Sequence, residues 1–236
     1  MSLGSGGPHL GGFITFEGGE GAGKSTQVRL LVERLRTAGS AAIATREPGG
    51  SPRAERIRDA LLSGAVRPLG PVAEALMFSA ARLDHIGVTI RPALERGTFV
   101  VCDRFIDSTR VYQGTLGHVD AALLARLEQV VVGDVWPDLT LVLDLDAATG
   151  LARASARRGA DAPADRFERE GGDFHDRLRR GFLDNAEREP ERCLVLDASR
   201  PPDELARTIW LIVLARFPAL RGGTPVSRPG EGPRAA

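Results

Sequence analysis

"FITFEGGEGAGKST", Phe13 to Thr26, decides the fold of this chain. A short apolar run ends at Glu17. Gly18, four further residues, Gly23, Lys24 and Ser25 then satisfy the pattern G-x-x-x-x-G-K-[ST], directly ahead of a stretch, "TQVRLLVERLRTAG", with helical apolar spacing. A strand feeding a glycine-rich turn and a helix is the setting in which this pattern builds a phosphate nest. The backbone of Gly18, Gly19, Glu20, Gly21, Ala22 and Gly23 can wrap phosphate oxygens, and the helix N-terminus from Lys24 to Thr26 adds a favourable dipole. The Ser25 hydroxyl can ligate Mg²⁺. A nucleoside triphosphate is the expected ligand; a glycine-rich turn without a ligand is the alternative. Lys24 is the only lysine beside thirty arginines. A compact ammonium bridges two phosphates inside such a loop, where a planar guanidinium fork fits poorly.

Four more apolar runs follow the first: "AAIAT" (41–45), "TFVVCD" (98–103), "LTLVLDLD" (139–146) and "CLVLDA" (193–198). Each reads as a buried strand, with helical stretches between, so a mainly parallel sheet covered on both faces is predicted. Sites in such folds gather at the carboxyl ends of the strands. Residues 153–170 lack sustained periodicity and read as an excursion between two helices, and the Pro/Gly-rich end from Leu220 reads as disordered.

The bulk numbers narrow the class. A chain of 236 residues suits one domain, and 42% apolar with 26% charged residues describes a globular protein. No apolar run approaches the roughly 18 residues a membrane span needs, and the opening "MSLGSGGPHL" has neither the cationic start nor the apolar middle of a secretory signal. A cytoplasmic location is expected. Basic and acidic residues balance at 31 each, so nothing points to a surface built to neutralise a nucleic-acid backbone. Cys102 and Cys193 sit in separate apolar runs and read as buried, inert thiols.

The acceptor side lies elsewhere. From Pro71 to about Arg96 a long helix is predicted, with Ala73, Leu76, Ala80, Leu83, Gly87, Ile90 and Leu94 forming one buried face. Phe78 falls opposite, one turn from Arg82 at i+4. A ring beside a guanidinium suits a planar base, with packing on a neighbouring helix or a dimer surface as the alternative. Asp103 and Arg104 close the run "FVVC" at a strand end. Arg104 can hold an acceptor phosphate and Asp103 can act on the magnesium shell; a structural ion pair is the other reading.

Taken together, "FEGGEGAGKST", "TREPGGS" (45–51), "LMFSAAR" (76–82), "CDRFIDSTRVYQG" (102–114) and "LDLD" followed by "RASARRG" resemble the bacterial thymidylate kinase family in order and spacing, over roughly residues 12–217. The REPGG and DRF…YQG segments are far more specific than the phosphate loop. The resemblance implies a P-loop NTPase fold, three layers α/β/α around a five-stranded parallel sheet, with a mobile lid at about 155–172. From their composition, residues 1–11 read as a flexible leader and 218–236 as a disordered tail. The resemblance also implies transfer of the γ-phosphoryl of ATP to dTMP, Mg²⁺ dependence and a homodimer.

Residue by residue, the resemblance gives ATP phosphates to Gly18 through Ser25 and puts Glu20 near the acceptor sugar and metal. Arg46 and Arg104 would grip the dTMP phosphate, Phe78 would stack on thymine and Arg82 would hydrogen-bond it. Thr109, Tyr112 and Gln113 would complete the base and sugar pocket, with the Tyr112 ring where a ribose 2′-hydroxyl would lie. Some members carry an arginine directly after the loop acid; here that position is Gly21. The resemblance is therefore to the subgroup with lid arginines, among which Arg157 and Arg158 are favoured over Arg166. Ser51 and Arg110 depart from the family pattern. The rival readings are a kinase for another nucleoside monophosphate and a P-loop ATPase or switch without a small acceptor. The histidines His9, His85, His118 and His175 form no cluster, and none is needed, because the nucleophile is itself a phosphate oxygen.

Overall fold

Five short strands, Phe13–Glu17 (β1), Ala42–Arg46 (β2), Phe99–Asp103 (β3), Leu139–Asp144 (β4) and Cys193–Asp197 (β5), form one parallel sheet in the order β2-β3-β1-β4-β5. The computed structural model describes residues 11–158, 167 and 169–221. β1 is central and buried along its whole length. Its side chains alternate between two cores, as the period of two requires. Ile14 and Phe16 join Leu31, Leu35, Leu141 and Val213 on one face, and Phe13 joins Ile90, Leu94, Val100 and Phe105 on the other. Truncating Phe16, which is fully buried, to alanine removes about 3–5 kcal/mol.

The helices are Lys24–Thr37 (α1), Pro52–Ser63 (α2), Gly70–His85 (α3), Arg91–Glu95 (α4), Ile106–Thr109 (α5), Ala121–Val131 (α6), Ala147–Arg158 (α7), Gly172–Arg188 (α8) and Pro202–Arg216 (α9). Two π-helical segments matter for the site. Ile86–Ile90 joins α3 to α4, and Arg110–Leu116 continues α5. The first lies just before Pro92, which has no N–H to donate to the preceding turn, and its extra residue rotates the following register so that Ile90 and Leu94 reach the core.

Three expectations are corrected. In the predicted apolar face of the long helix, Leu76, Ala80, Leu83 and Gly87 are exposed, and the buried side carries Glu74, Ala75, Ala81, Arg82 and His85. The stripe is real as a pattern, but periodicity reports apolar clustering and not what covers it. The excursion begins later than expected, because α7 runs through Arg158. At the other end, a 3₁₀ turn at Pro218–Arg221 extends regular structure past Phe217, with Leu220 packed on the core. Half of the expected lid (159–166 and 168), residues 1–10 and the end of the chain from 222 lie outside the described residues.

Candidate active site

At the carboxyl end of β1 the chain turns sharply into α1. Gly18 and Gly21 have φ of 129° and 67°, and a Cβ at either position would fall on a carbonyl oxygen, of Leu143 or Gly150 respectively. The loop is therefore closed around backbone alone, with Ala22 buried beneath it and Thr26 on the exposed first turn of α1. Lys24 curls into it, its Nζ donating to the carbonyls of Gly18 (3.1 Å) and Gly19 (2.7 Å). Burial lowers the Lys24 pKa, and the neighbouring Arg104 charge acts in the same direction.

Directly beside the lysine, Ser25 Oγ donates to Asp103 Oδ2 at 2.5 Å. A hydroxyl and a carboxylate, both hard oxygen donors facing a phosphate nest, fit Mg²⁺, which takes one or two protein ligands and completes its shell with water and phosphate. Among the described residues no cluster of three or more His, Cys, Asp and Glu forms a self-sufficient metal cage.

β3 delivers the groups that face the nest. Its last residue, Asp103, is followed by Arg104 with φ of 69°, a left-handed conformation that costs a non-glycine residue about 1–2 kcal/mol. That turn aims the guanidinium back across the loop. Nη2 donates to Glu20 Oε1 at 2.5 Å, Nη1 to Ser108 Oγ at 3.2 Å, and the guanidinium carbon lies 5.3 Å from the centre of the Tyr112 ring. Tyr112 also donates to Glu20 Oε1 at 3.2 Å. Burial alone would raise the Glu20 pKa, but the charges of Arg104 and Lys24 win and pull it down to about 2. Glu20 is therefore an anion held between two cations and a phenol.

A base-sized wall stands opposite. Phe78 and Arg82 both line it, as the i+4 spacing predicts. Arg82 is pinned by Nε donation to Glu47 Oε2 (2.7 Å) and Nη2 donation to Phe105 O and Thr109 Oγ1 (3.0 Å each), with Phe105 stacked 5.0 Å away. The other Glu47 oxygen meets His85 Nδ1 at 3.0 Å, and His85 Nε2 meets Thr45 Oγ1 at 2.7 Å. Gln113 is buried on the wall, and Arg46 reaches its rim while pairing with Glu55 at 3.1 Å. One cavity of about 240 Å³ joins nest, Arg104 and wall, and it is also lined by Arg157 and Phe167. The Arg158 side chain and Arg166 lie outside the described residues.

The sequence reading missed Glu17, Glu47, His85 and Ser108. Glu47 stood in plain view inside REPGG, but its partner in the long helix is 35 positions away. Arg110, a departure from the family pattern, is absorbed by ion pairs with Glu128 (2.7 Å) and Glu189 (2.5 Å). Cys102 and Cys193 are buried free thiols, and burial raises both pKa values, that of Cys193 to about 12.

A parallel α/β sheet with a lysine-bearing phosphate nest facing a second, guanidinium-lined pocket defines a P-loop nucleotide kinase. Comparison with known proteins narrows the class. A family model described as thymidylate kinase matches residues 16–209. Thymidylate kinase of Rhodopseudomonas palustris is 57% identical over 208 residues, 88% of this chain and 90% of that protein. The enzyme of Nitrobacter winogradskyi is 53% identical over 218 residues, 92% and 94% of the two chains. A crystal structure of thymidylate kinase from Ehrlichia chaffeensis superposes with a TM-score of 0.69 at 33% identity, covering 87% of this chain and 99% of that one. The chain belongs to the thymidylate kinase family, and it is a phosphotransferase that phosphorylates dTMP.

Proposed function

We propose that the enzyme transfers the γ-phosphoryl group of ATP to dTMP with Mg²⁺, with the residues around the cavity beside the phosphate nest in the following roles. ATP phosphates occupy the nest of Gly18 to Thr26, and Lys24 exchanges its two carbonyl partners for phosphate oxygens. Ser25 and Asp103 would hold the metal, which neutralises charge on the phosphate oxygens when bound. Arg104 and Arg46 take the dTMP phosphate, Phe78 stacks on thymine, Arg82 donates to it, and Thr109 and Gln113 close the pocket.

The acceptor phosphate has a second pKa near 6, so it is largely dianionic at neutral pH and attacks without a general base. What remains for the protein is alignment and stabilisation of charge on the transferring group. Glu20, ionised between Arg104 and Lys24, keeps Arg104 and the Tyr112 hydroxyl in place on the acceptor side. Arg157 lines the cavity and supplies the lid cation, with Arg158 as the adjacent candidate. Gly21 supports the lid-arginine reading. Its left-handed φ and the Gly150 carbonyl leave no room for a side chain at that point of the loop.

The exposed stripe of Leu76, Ala80, Leu83 and Gly87, with Leu69, Val72 and Val130 also exposed, supports a homodimer. No helix of the described residues is long and apolar enough to cross a membrane, and the buried free thiols suit the reducing cytoplasm in which we place the enzyme. The reading rests most on one observation: nest, Arg104 and the Phe78–Arg82 wall share one cavity. Coupled ADP release across a panel of nucleoside monophosphates tests it. The expected order is dTMP first, with dUMP within about 1–3 kcal/mol because only a methyl group separates them. ADP release at an equal rate without any acceptor would overturn it.

A further inference from the structure

We propose that Glu17 is the positioning residue that fixes Arg104 in its working conformation, through the segment that follows Arg104. Glu17 is the last residue of β1 and is fully buried, one position ahead of the phosphate loop. A buried carboxylate must be satisfied, and every partner it finds by hydrogen bonding lies on one short stretch. Oε1 accepts from the backbone N–H of Phe105 (2.8 Å) and of Ser108 (3.2 Å), and Oε2 accepts from Ser108 Oγ (2.6 Å).

These three bonds span the residues directly after Arg104, whose φ is 69°. A non-glycine residue stays in that conformation only where its surroundings over-determine it. The Arg104 N–H donates to Phe16 O at 2.8 Å on one side, and the Glu17 carboxylate grips Phe105 and Ser108 on the other. Ser108 Oγ passes the constraint on, because while donating to Glu17 it accepts from Arg104 Nη1 at 3.2 Å. A chain of contacts therefore runs from Glu17 through Ser108 to Arg104 and on to Glu20. The other charged groups acting on Glu17 are Asp107 on α5 and Lys24 on α1. Asp107 has partners of its own, in Arg192 (2.7 Å) and Asn185 (2.6 Å).

This inference rests on the reading of Arg104 as a holder of the acceptor phosphate, and the test separates the two. At pH 8, above the raised Glu17 pKa of about 7, steady-state kinetics with ATP and dTMP varied independently are measured for the wild type, Arg104→Ala, Glu17→Gln, Ser108→Ala and the Glu17→Gln/Ser108→Ala pair, with a melting curve for each. A carboxamide can still accept an N–H at Oε1 but cannot accept the Ser108 hydroxyl at nitrogen. Glu17→Gln should raise KM for dTMP and cut kcat/KM for dTMP by about 10- to 100-fold, the scale of a misplaced binding group, while KM for ATP changes little. Ser108→Ala should shift the same parameter in the same direction, and the pair should be no worse than Glu17→Gln alone, because both act along one chain. Ser108→Ala also carries the test if Glu17→Gln folds poorly. Equal losses toward ATP and dTMP, an unchanged KM for dTMP in the folded variants, or full additivity of the pair would overturn the inference. An unchanged KM for dTMP in Arg104→Ala would instead overturn the assignment of Arg104.

Discussion

Replacing Glu47 with alanine should cost more stability than any single surface change and should fail in a particular way. Arg82 and Glu47 are 2% and 5% exposed at their side chains, so the Nε to Oε2 bond of 2.7 Å works almost without solvent screening. Removing the carboxylate leaves a buried guanidinium with the Phe105 carbonyl and the Thr109 hydroxyl as its hydrogen-bond partners among the described residues. Breaking a buried pair from one side costs about 3–5 kcal/mol. At about 2–4 °C per kcal/mol for a chain of this size, the melting temperature should fall by roughly 6–20 °C.

The double variant Glu47→Ala/Arg82→Met separates this cause from simple loss of packing. With both charges gone, the pair term vanishes, and the main remaining deficit is His85 Nδ1 without its Glu47 partner, about 1–3 kcal/mol. Stability should therefore recover in part, while dTMP phosphorylation should not recover, because Arg82 is the donor to the base in the proposed pocket. Melting curves and kcat/KM for dTMP on the same preparations read both quantities. If the single variant melts within about 2 °C of the wild type, or the double is no more stable than the single, the buried pair does not hold this wall together.

Arg157→Ala should lower kcat by about 10³-fold with little change in KM for ATP, as removal of a transition-state arginine does, and near-normal turnover would exclude it as the lid cation. Leu76→Glu combined with Leu83→Glu should convert a dimer to a monomer in analytical ultracentrifugation, since both residues lie on the exposed stripe; an unchanged sedimentation coefficient would place the interface elsewhere. The pH dependence of stability has two opposed parts. Burial first, and Asp107 next, raise the Glu17 pKa from 4.5 to about 7, so the native state holds a proton that the unfolded chain releases, and stability falls as pH rises across that window. Glu20, lowered to about 2, contributes stability that is present above its unfolded value of 4.5 and is lost as pH falls toward 2. Urea titrations of the wild type and Glu17→Gln at pH 5, 6 and 7 should differ in slope by up to about 1.4 kcal/mol per pH unit, and parallel slopes would refute the raised pKa.

The five strands were legible because a strand buried on both faces of a parallel sheet must be apolar at nearly every position, which leaves short, bounded runs in the sequence. The phosphate loop was legible because its chemistry is local: glycines, lysine and hydroxyl fall within a few residues of one another. The long helix was read correctly in length, and its Phe78 and Arg82 side correctly in direction, yet Leu76 and Leu83 proved exposed. Helical periodicity has no means of separating a core from a partner's surface. Glu17 and Glu47 were invisible for a different reason. A buried carboxylate reads like any other acid until its donors are known, and those donors stand up to 91 and 38 positions away.

Thirty arginines and one lysine also make physical sense once the contacts are known. Arg110 meets the Glu128 carboxylate through Nε and Nη2 at 2.8 and 2.7 Å, and Arg179 meets Asp144 in the same two-pronged way at 2.6 and 2.9 Å. Arg192 spans both oxygens of Asp107. Each pairing uses a planar fork against a planar carboxylate, which a lysine cannot reproduce. At the phosphate loop the demand is reversed. The Lys24 ammonium sits where two backbone carbonyls converge within 3.1 Å, a space for a point charge whose donors rotate to follow phosphate oxygens. Drift toward arginine is compatible with the forked pairings, and it meets a steric limit at the one position enclosed by the loop's own backbone.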